Sequence, residues 1–189
     1  DREGRLVVCE GASGSDGPRI TRTDMKTGAV EVLATGYQGM PFRGTNDVTI
    51  DGQGRLYITE PAGSAVYRLD GPNQVTKILG APQLERPNGI QVAPDDRTLY
   101  FADTPRQAIW AFDFNLHAGT IGDRRLFADL SARRGFPDGS CVDADGGLWN
   151  AEWEGGCVVR YDVKGAETDI VMLPVSRPTS RWLTIERSL

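Results

Sequence analysis

The sequence predicts an all-β protein, a β-propeller whose blades are four-stranded antiparallel sheets. The 189 residues include 23 Gly and 11 Pro that are spread along the chain, which indicates many turns between short strands. Helical periodicity is weak throughout. A motif with four strand-like runs recurs at intervals of roughly 40–50 residues, a period that is typical of a propeller blade.

The first two runs of the motif are clearest in three segments that open on Asn or Asp. In each segment an alternating run is followed by a polar turn, and a second run then opens on Leu and an aromatic residue. The segments are "TNDVTIDGQGRLYITE" from Thr45, "PNGIQVAPDDRTLYFAD" from Pro87 and "PDGSCVDADGGLWNAE" from Pro137. The alternation predicts two strands joined by a tight turn.

A third and a fourth run complete the motif. The third run reads "VYRLD", "IWAFD", "VVRYD" and, more weakly, "ITRTD". The fourth run reads "VEVLAT", "VTKILG", "RRLFADL" and "DIVMLPV". Four strands per unit favour a propeller over a β-sandwich, because a sandwich does not require the same Asn or Asp to return at one offset.

We expect three complete blades flanked by two incomplete ones, about four blades in all. "DREGRL" at the start matches the turns "DGQGRL" and "DADGGL", so the first blade is expected to begin at its second strand. Near the other end, "SRPTS" resembles the start of another inner strand, with Thr179 at the Asn/Asp position. The sequence therefore predicts a partial propeller domain over residues 1–180, an open arc, and an atypical C-terminal tail over residues 181–189.

Composition narrows the classes of partner. The net charge is −5 and basic residues cluster only in pairs, which argues against nucleic acid or an anionic membrane as the partner. No apolar stretch is long enough to span a bilayer. The three Cys residues form no C-x-x-C pair, and Cys9 and Cys141 lie in apolar runs. We therefore expect buried, reduced thiols and a cytoplasmic location.

The recurring Asn or Asp is the main candidate for a functional site. Inner strands of a propeller run in the same direction around its axis, so Asn46, Asn88 and Asp138 are expected to meet at one end of the central channel. Two amide oxygens and a carboxylate suit Ca²⁺, Mg²⁺ or Mn²⁺, and no His or Cys in this register favours Zn²⁺. The alternative is that each residue only caps a turn before its strand.

The segments "RPNGIQVAPDDRTLYFADT", "FPDGSCVDADGGLWNAEWEGGCVVRYD" and "LPVSRPTS" resemble the gluconolactonase/regucalcin (senescence-marker protein) family. The resemblance covers nearly the whole chain. It implies a six-bladed propeller that hydrolyses sugar lactones with one divalent metal ion. By the same resemblance, Asn88 and Asp138 match metal ligands, Asp138 also matches the catalytic acid/base, and Asn46 and Arg43 match substrate-binding residues.

The chemistry implied by the resemblance is metal-assisted ester hydrolysis. A cation, with Ca²⁺ favoured over Zn²⁺, Mg²⁺ and Mn²⁺, would polarise the lactone carbonyl and activate water, while Asp138 moves the proton. The partner would be a small sugar lactone. The family also carries a Glu ligand on the inner strand of its first blade, which we expect to precede Asp1.

Two other classes of propeller remain open at this point. One is a non-catalytic binding module of the NHL type, and the other is a propeller like strictosidine synthase. Both would lack a set of converging polar side chains at the axis.

Acidic residues at the ends of second strands are a separate feature. Glu60, Asp103 and Glu152 occupy this position, and we expect them to have surface or turn roles. Trp153, in the following loop, is expected to lie at the mouth of the pocket.

Overall fold

The computed structural model describes residues 1–11 and 17–174. Within these ranges the helical elements are two single 3₁₀ turns, Pro61–Gly63 and Thr104–Arg106. None of the described helices has the length and apolar character needed to cross a membrane. The predicted C-terminal tail, residues 181–189, and the candidate position Thr179 lie outside the described residues.

The first sheet, which we call blade 1, has three antiparallel strands in chain order. A two-stranded hairpin follows it. The strands of blade 1 are β1 (Leu6–Glu10), β2 (Arg19–Thr23) and β3 (Val30–Ala34), and those of the hairpin are β4 (Gly36–Tyr37) and β5 (Met40–Pro41).

Three four-stranded antiparallel sheets come next, each with its strands in chain order, as predicted from the repeat. Blade 2 contains β6 (Val48–Ile50), β7 (Leu56–Glu60), β8 (Ala65–Leu69) and β9 (Val75–Gly80). Blade 3 contains β10 (Pro87–Val92), β11 (Thr98–Asp103), β12 (Ala108–Asn115) and β13 (Thr120–Asp129). Blade 4 contains β14 (Phe136–Val142), β15 (Leu148–Trp153), β16 (Cys157–Tyr161) and β17 (Glu167–Met172). The predicted all-β fold with four-stranded blades is confirmed.

Apolar clusters fill the spaces between neighbouring blades. Ile58 of β7 packs in one cluster with Ile20 of blade 1, and the adjacent Tyr57 packs in another with Phe101 of blade 3. Successive side chains of a strand point to opposite faces, so one strand supplies both clusters. A third cluster joins blades 3 and 4. The central strands are therefore buried on both faces, and the blades are held side by side.

The first strands of blades 2, 3 and 4 are neighbours, with β10 contacting β6 on one side and β14 on the other. This arrangement puts the residues at the start of each first strand close together, which is what positions the candidate site.

The three cysteines are all free. Cys157 is buried, whereas Cys9 and Cys141 are only half-buried, contrary to the expectation from their apolar runs. Although part of the residue is exposed, the Cys9 thiol is desolvated by surrounding protein, and this desolvation together with the charge of Asp47 raises its pKa and keeps it protonated.

Candidate functional site

Three half-buried side chains meet where the inner strands begin. The Nδ2 of Asn46 donates a hydrogen bond to Oδ1 of Asn88 at 2.7 Å, and the Nδ2 of Asn88 donates to Oδ1 of Asp138. We call these residues the Asn–Asn–Asp row. The structure thus brings together one residue from each of three blades, and their roles in binding and catalysis stay predictions.

Irregular strand pairing sets the direction of two of these side chains. The register between β10 and β11 shifts between Pro87 and Ile90, and the register between β14 and β15 shifts between Pro137 and Ser140. Such bulges turn the local backbone and re-aim a side chain out of the regular alternation. Asn88 and Asp138 both lie within these shifts, so the bulges explain how they face the neighbouring blade.

Gly89 explains why the row is so compact. A Cβ atom at this position would lie 2.4 Å from the carbonyl oxygen of Asp138 and 2.6 Å from the amide nitrogen of Ser140. Both obstacles are backbone atoms, which cannot swing away as a side chain can. The corresponding Gly139 has no neighbouring atom within 4 Å of such a Cβ. Gly89 is therefore required by the close approach of β10 to β14.

Asp47 is a site residue that the sequence reasoning missed. Its Oδ2 accepts a hydrogen bond from the Ile90 amide at 3.1 Å, and its Oδ1 accepts one from Val48 at 2.8 Å. Burial raises the pKa of Asp47 to about 6, and the nearby charge of Asp138 acts in the same direction. The carboxylate ties blade 2 to blade 3 beside the row. In the sequence, Asp47 is visible as the second residue of "ND". The other two motifs carry Gly after the Asn or Asp, so the repeat did not mark Asp47 as a site residue.

The chemistry of the donors fits a hard divalent cation. Two amide groups and one carboxylate offer the oxygen ligands that Ca²⁺ and Mg²⁺ prefer. Across residues 1–11 and 17–174, no three His, Cys, Asp or Glu side chains come together as a metal cluster. Burial raises the pKa of Asp138, while the hydrogen bond from Asn88 lowers it. A nearby positive charge would stabilise the charged form of a desolvated carboxylate of this kind.

The structure does not bring Arg43 into the row. Arg43 is exposed, and its backbone amide donates a hydrogen bond to the carboxylate of Glu60. Its proposed contact with substrate remains a prediction.

The acidic residues that end the second strands are buried, so of the two expected roles the surface role is wrong and the turn role agrees with the structure. Glu60 and Asp103 are 2% and 0% exposed. Asp103 accepts hydrogen bonds from the amides of Glu85 at 3.0 Å and Arg86 at 2.9 Å, and Glu60 accepts one from Arg43. All three amides belong to the loop that precedes the first strand of the same blade, which we call the lead-in loop. The carboxylates therefore fix the turns that deliver Asn46 and Asn88.

In blade 4, Glu152 fixes the lead-in loop by binding a side chain of that loop instead of its backbone amides. It forms an ion pair with Arg133 of the lead-in loop, and Arg133 also pairs with Glu167 at 2.6 Å. The sequence shows that an acid follows the Leu of each second strand at a constant offset, but it does not show that these acids are buried.

Trp153 lies beyond Glu152 and is 51% exposed. Its ring packs against Phe136, with 5.8 Å between the ring centroids. Phe136 comes two residues before Asp138, so this aromatic pair lies at the same end of blade 4 as the row.

A family model described as the SMP-30/Gluconolactonase/LRE-like region matches residues 1–185. The chain is 36% identical over 174 residues to an L-arabinolactonase of Azospirillum brasilense, a match that covers 88% of this chain and 57% of that protein. It spans about half the length of the curated relatives that it matches.

Two solved structures share the fold. A gluconolactonase from Xanthomonas campestris superposes with a TM-score of 0.77 at 31% identity, over 92% of this chain and 60% of that one. A calcium-binding regucalcin from Agrobacterium tumefaciens superposes with a TM-score of 0.73 at 27% identity, over 91% and 58%. From the family model and these relatives together, the chain belongs to the SMP-30/gluconolactonase/regucalcin family.

Proposed function

We propose that this protein hydrolyses sugar lactones with the help of one divalent cation. The observation that carries the proposal is the Asn–Asn–Asp row, which gathers two amides and a desolvated carboxylate in a family whose relatives include an arabinolactonase and a gluconolactonase. Family membership favours this activity over a non-catalytic NHL-like module or a propeller like strictosidine synthase.

The cation would be held by Asn88 and Asp138, and Ca²⁺ is the first candidate because a family member of known structure is described as calcium-binding. When bound, such a cation supplies polarisation of the lactone carbonyl and a lowered pKa for nearby water.

Asp138 is proposed to move the proton. Its carboxylate takes a proton from the attacking water, whose oxygen bonds to the lactone carbonyl carbon, and passes a proton to the ring oxygen as the ring C–O bond breaks. The product is the open-chain hydroxy acid. Burial raises the pKa of Asp138, and a cation held by its carboxylate would act in the opposite direction. Asn46 and Arg43 are proposed to donate hydrogen bonds to substrate oxygens.

The test is lactone hydrolysis in a pH-stat over a panel of five- and six-carbon aldonolactones. We expect EDTA to abolish turnover and added Ca²⁺ to restore it. Asp138→Asn should lower kcat by about 100-fold or more, since the general acid/base is lost. The control is Asp113→Asn, because Asp113 is an exposed residue of β12 paired with Arg125. Metal-independent turnover, or full activity in Asp138→Asn, would contradict the proposal.

A further inference from the structure

We propose that Asn150 is a positioning residue that anchors the backbone of Asp138. Asn150 lies in the middle of β15 and is 0% exposed. The same position of the other second strands carries an apolar residue, namely Val8 in blade 1, Ile58 in blade 2 and Phe101 in blade 3. The repeat is thus broken by a buried amide in the blade that supplies the carboxylate of the row.

The side-chain nitrogen of Asn150 contacts the bulge of β14. Its Nδ2 donates to the carbonyl oxygen of Asp138 at 3.1 Å, to that of Gly139 at 3.3 Å and to the hydroxyl of Ser140 at 2.8 Å. The two carbonyls identify this atom as the donor end of the amide. One side chain therefore holds three consecutive residues of the bulge, beginning with Asp138.

Packing alone does not account for an amide at this position. The Oδ1 of Asn150 is buried and has no hydrogen-bond partner among the described residues. A buried polar atom without a partner lowers stability, by about 1–3 kcal/mol in typical cases. An apolar side chain, as in the other blades, would avoid this cost. The presence of an amide at this position is therefore explained by the hydrogen bonds that its Nδ2 donates.

The bulge needs such an anchor because Gly139 gives it little rigidity. No atom lies within 4 Å of where a Cβ of Gly139 would be, so nothing packs against that side of its Cα. On the other side, Gly89 abuts the Asp138 carbonyl and the Ser140 amide. Asp138 is thus held between β10 and β15, and its carboxylate keeps one direction relative to Asn88. Catalytic side chains require placement to within about 0.5 Å, and contacts on both sides of the Asp138 backbone serve this requirement.

This inference rests on the proposed lactonase function, and its test separates the two. The variant is Asn150→Leu, which keeps the branched shape at Cγ and removes every polar atom. We expect a folded protein, faster amide hydrogen exchange over residues 138–142, and Ca²⁺ affinity weakened by roughly 10-fold, as for the loss of groups that orient metal ligands. In the active enzyme kcat should fall more than KM rises. Ile58→Leu, at the same position of blade 2, is the matched control and should leave all of these unchanged.

Unchanged exchange over residues 138–142 together with unchanged Ca²⁺ affinity in Asn150→Leu would overturn the inference. If Asn150→Leu does not fold, Asn150→Ser is measured in the same way, because the smaller side chain also removes the amide without crowding β14. Exchange is measured without metal or substrate. A wild-type protein that neither binds Ca²⁺ nor hydrolyses lactones would refute the proposed function, while faster exchange in Asn150→Leu would still support the anchor.

Discussion

Gly89 allows β10 to lie directly against the backbone of the next blade. The contact is made with the Asp138 carbonyl and the Ser140 amide, the groups that also set the direction of the catalytic candidate. A methyl group at this point would push two inner strands apart, and the row depends on their separation. At the scale of single residues, we therefore expect the site to be sensitive to an added carbon at position 89 as well as to the loss of a side chain of the row.

We expect Gly89→Ala to destabilise the protein by about 1–3 kcal/mol, the usual cost of overpacking. Ca²⁺ affinity should fall as well, because Asn88 moves away from Asp138. Gly139→Ala is the matched control, since a Cβ there meets no atom within 4 Å. Urea unfolding and calorimetric Ca²⁺ titration measure both effects. Equal behaviour of the two variants would show that the close approach has no energetic weight.

At the scale of the strand and its loop, the recurring element is a carboxylate that ends one strand and fixes the loop before another. In blade 3, Asp103 receives the amides of Glu85 and Arg86, and its side chain is fully buried. Without this acceptor, two amides of the lead-in loop would lose their partner. Arg86 comes two residues before Asn88, so an ordered loop helps to fix the position of Asn88.

Asp103→Asn should lower the free energy of unfolding by about 1–3 kcal/mol, because the amide offers one acceptor where the carboxylate offers two. Hydrogen exchange at Glu85 and Arg86 should become faster. The exposed Asp113→Asn is expected to cost no more than about 1 kcal/mol, as for most surface ion pairs. A loop that exchanges at the wild-type rate in Asp103→Asn would disprove the role of this carboxylate.

The sequence predicts the strands well because their pattern is local and repeated. Alternation, Gly-rich turns and a constant offset located the four strands of blades 2, 3 and 4. Burial of Glu60 and Asp103 could not be foreseen, because a charged residue at the end of a strand is exposed in most proteins. The backbone amides that satisfy these carboxylates come from 17 or 18 residues earlier in the chain. Their position depends on the completed blade.

At the scale of the whole molecule, blades 2 and 3 are also joined far from the row. Arg68 donates hydrogen bonds to the carbonyl oxygens of Ala118 at 3.1 Å and Gly119 at 2.8 Å, in the loop between β12 and β13. Arg55 bonds to the carbonyl oxygen of Leu116 in the same loop. Arg55 lies in the β6–β7 turn, directly before β7, so this contact is at the opposite end of β6 from Asn46.

Arg68→Met should therefore destabilise the protein and leave the site intact. The long apolar stem is kept, and the loss of hydrogen bonds from a charged donor corresponds to about 1.5–3 kcal/mol. We expect a lower Tm together with wild-type Ca²⁺ affinity, the reverse of the balance expected for Asn150→Leu. If Ca²⁺ binding weakens in parallel with Tm, the two ends of the blades are energetically coupled.

Convergence of the row could be predicted from the sequence, since equal offsets in a cyclic repeat imply equal places around an axis. The contributions of Asp47 and Asn150 could not, because each occurs in one blade and interrupts the repeat. Comparison between repeats reveals what the blades share. The residues that adapt one blade to its neighbour are visible only once the blades are packed.

The row also affects how a protein of this kind can evolve by amino-acid substitution. Each member comes from a different copy of one structural unit, and the apolar clusters that hold the copies together do not include them. A substitution at one position of the row would change the proposed ligand set by a single group and would leave the apolar contacts between the blades in place. New specificities can therefore be reached through a series of single, independently tolerated replacements, in natural descent or in the laboratory.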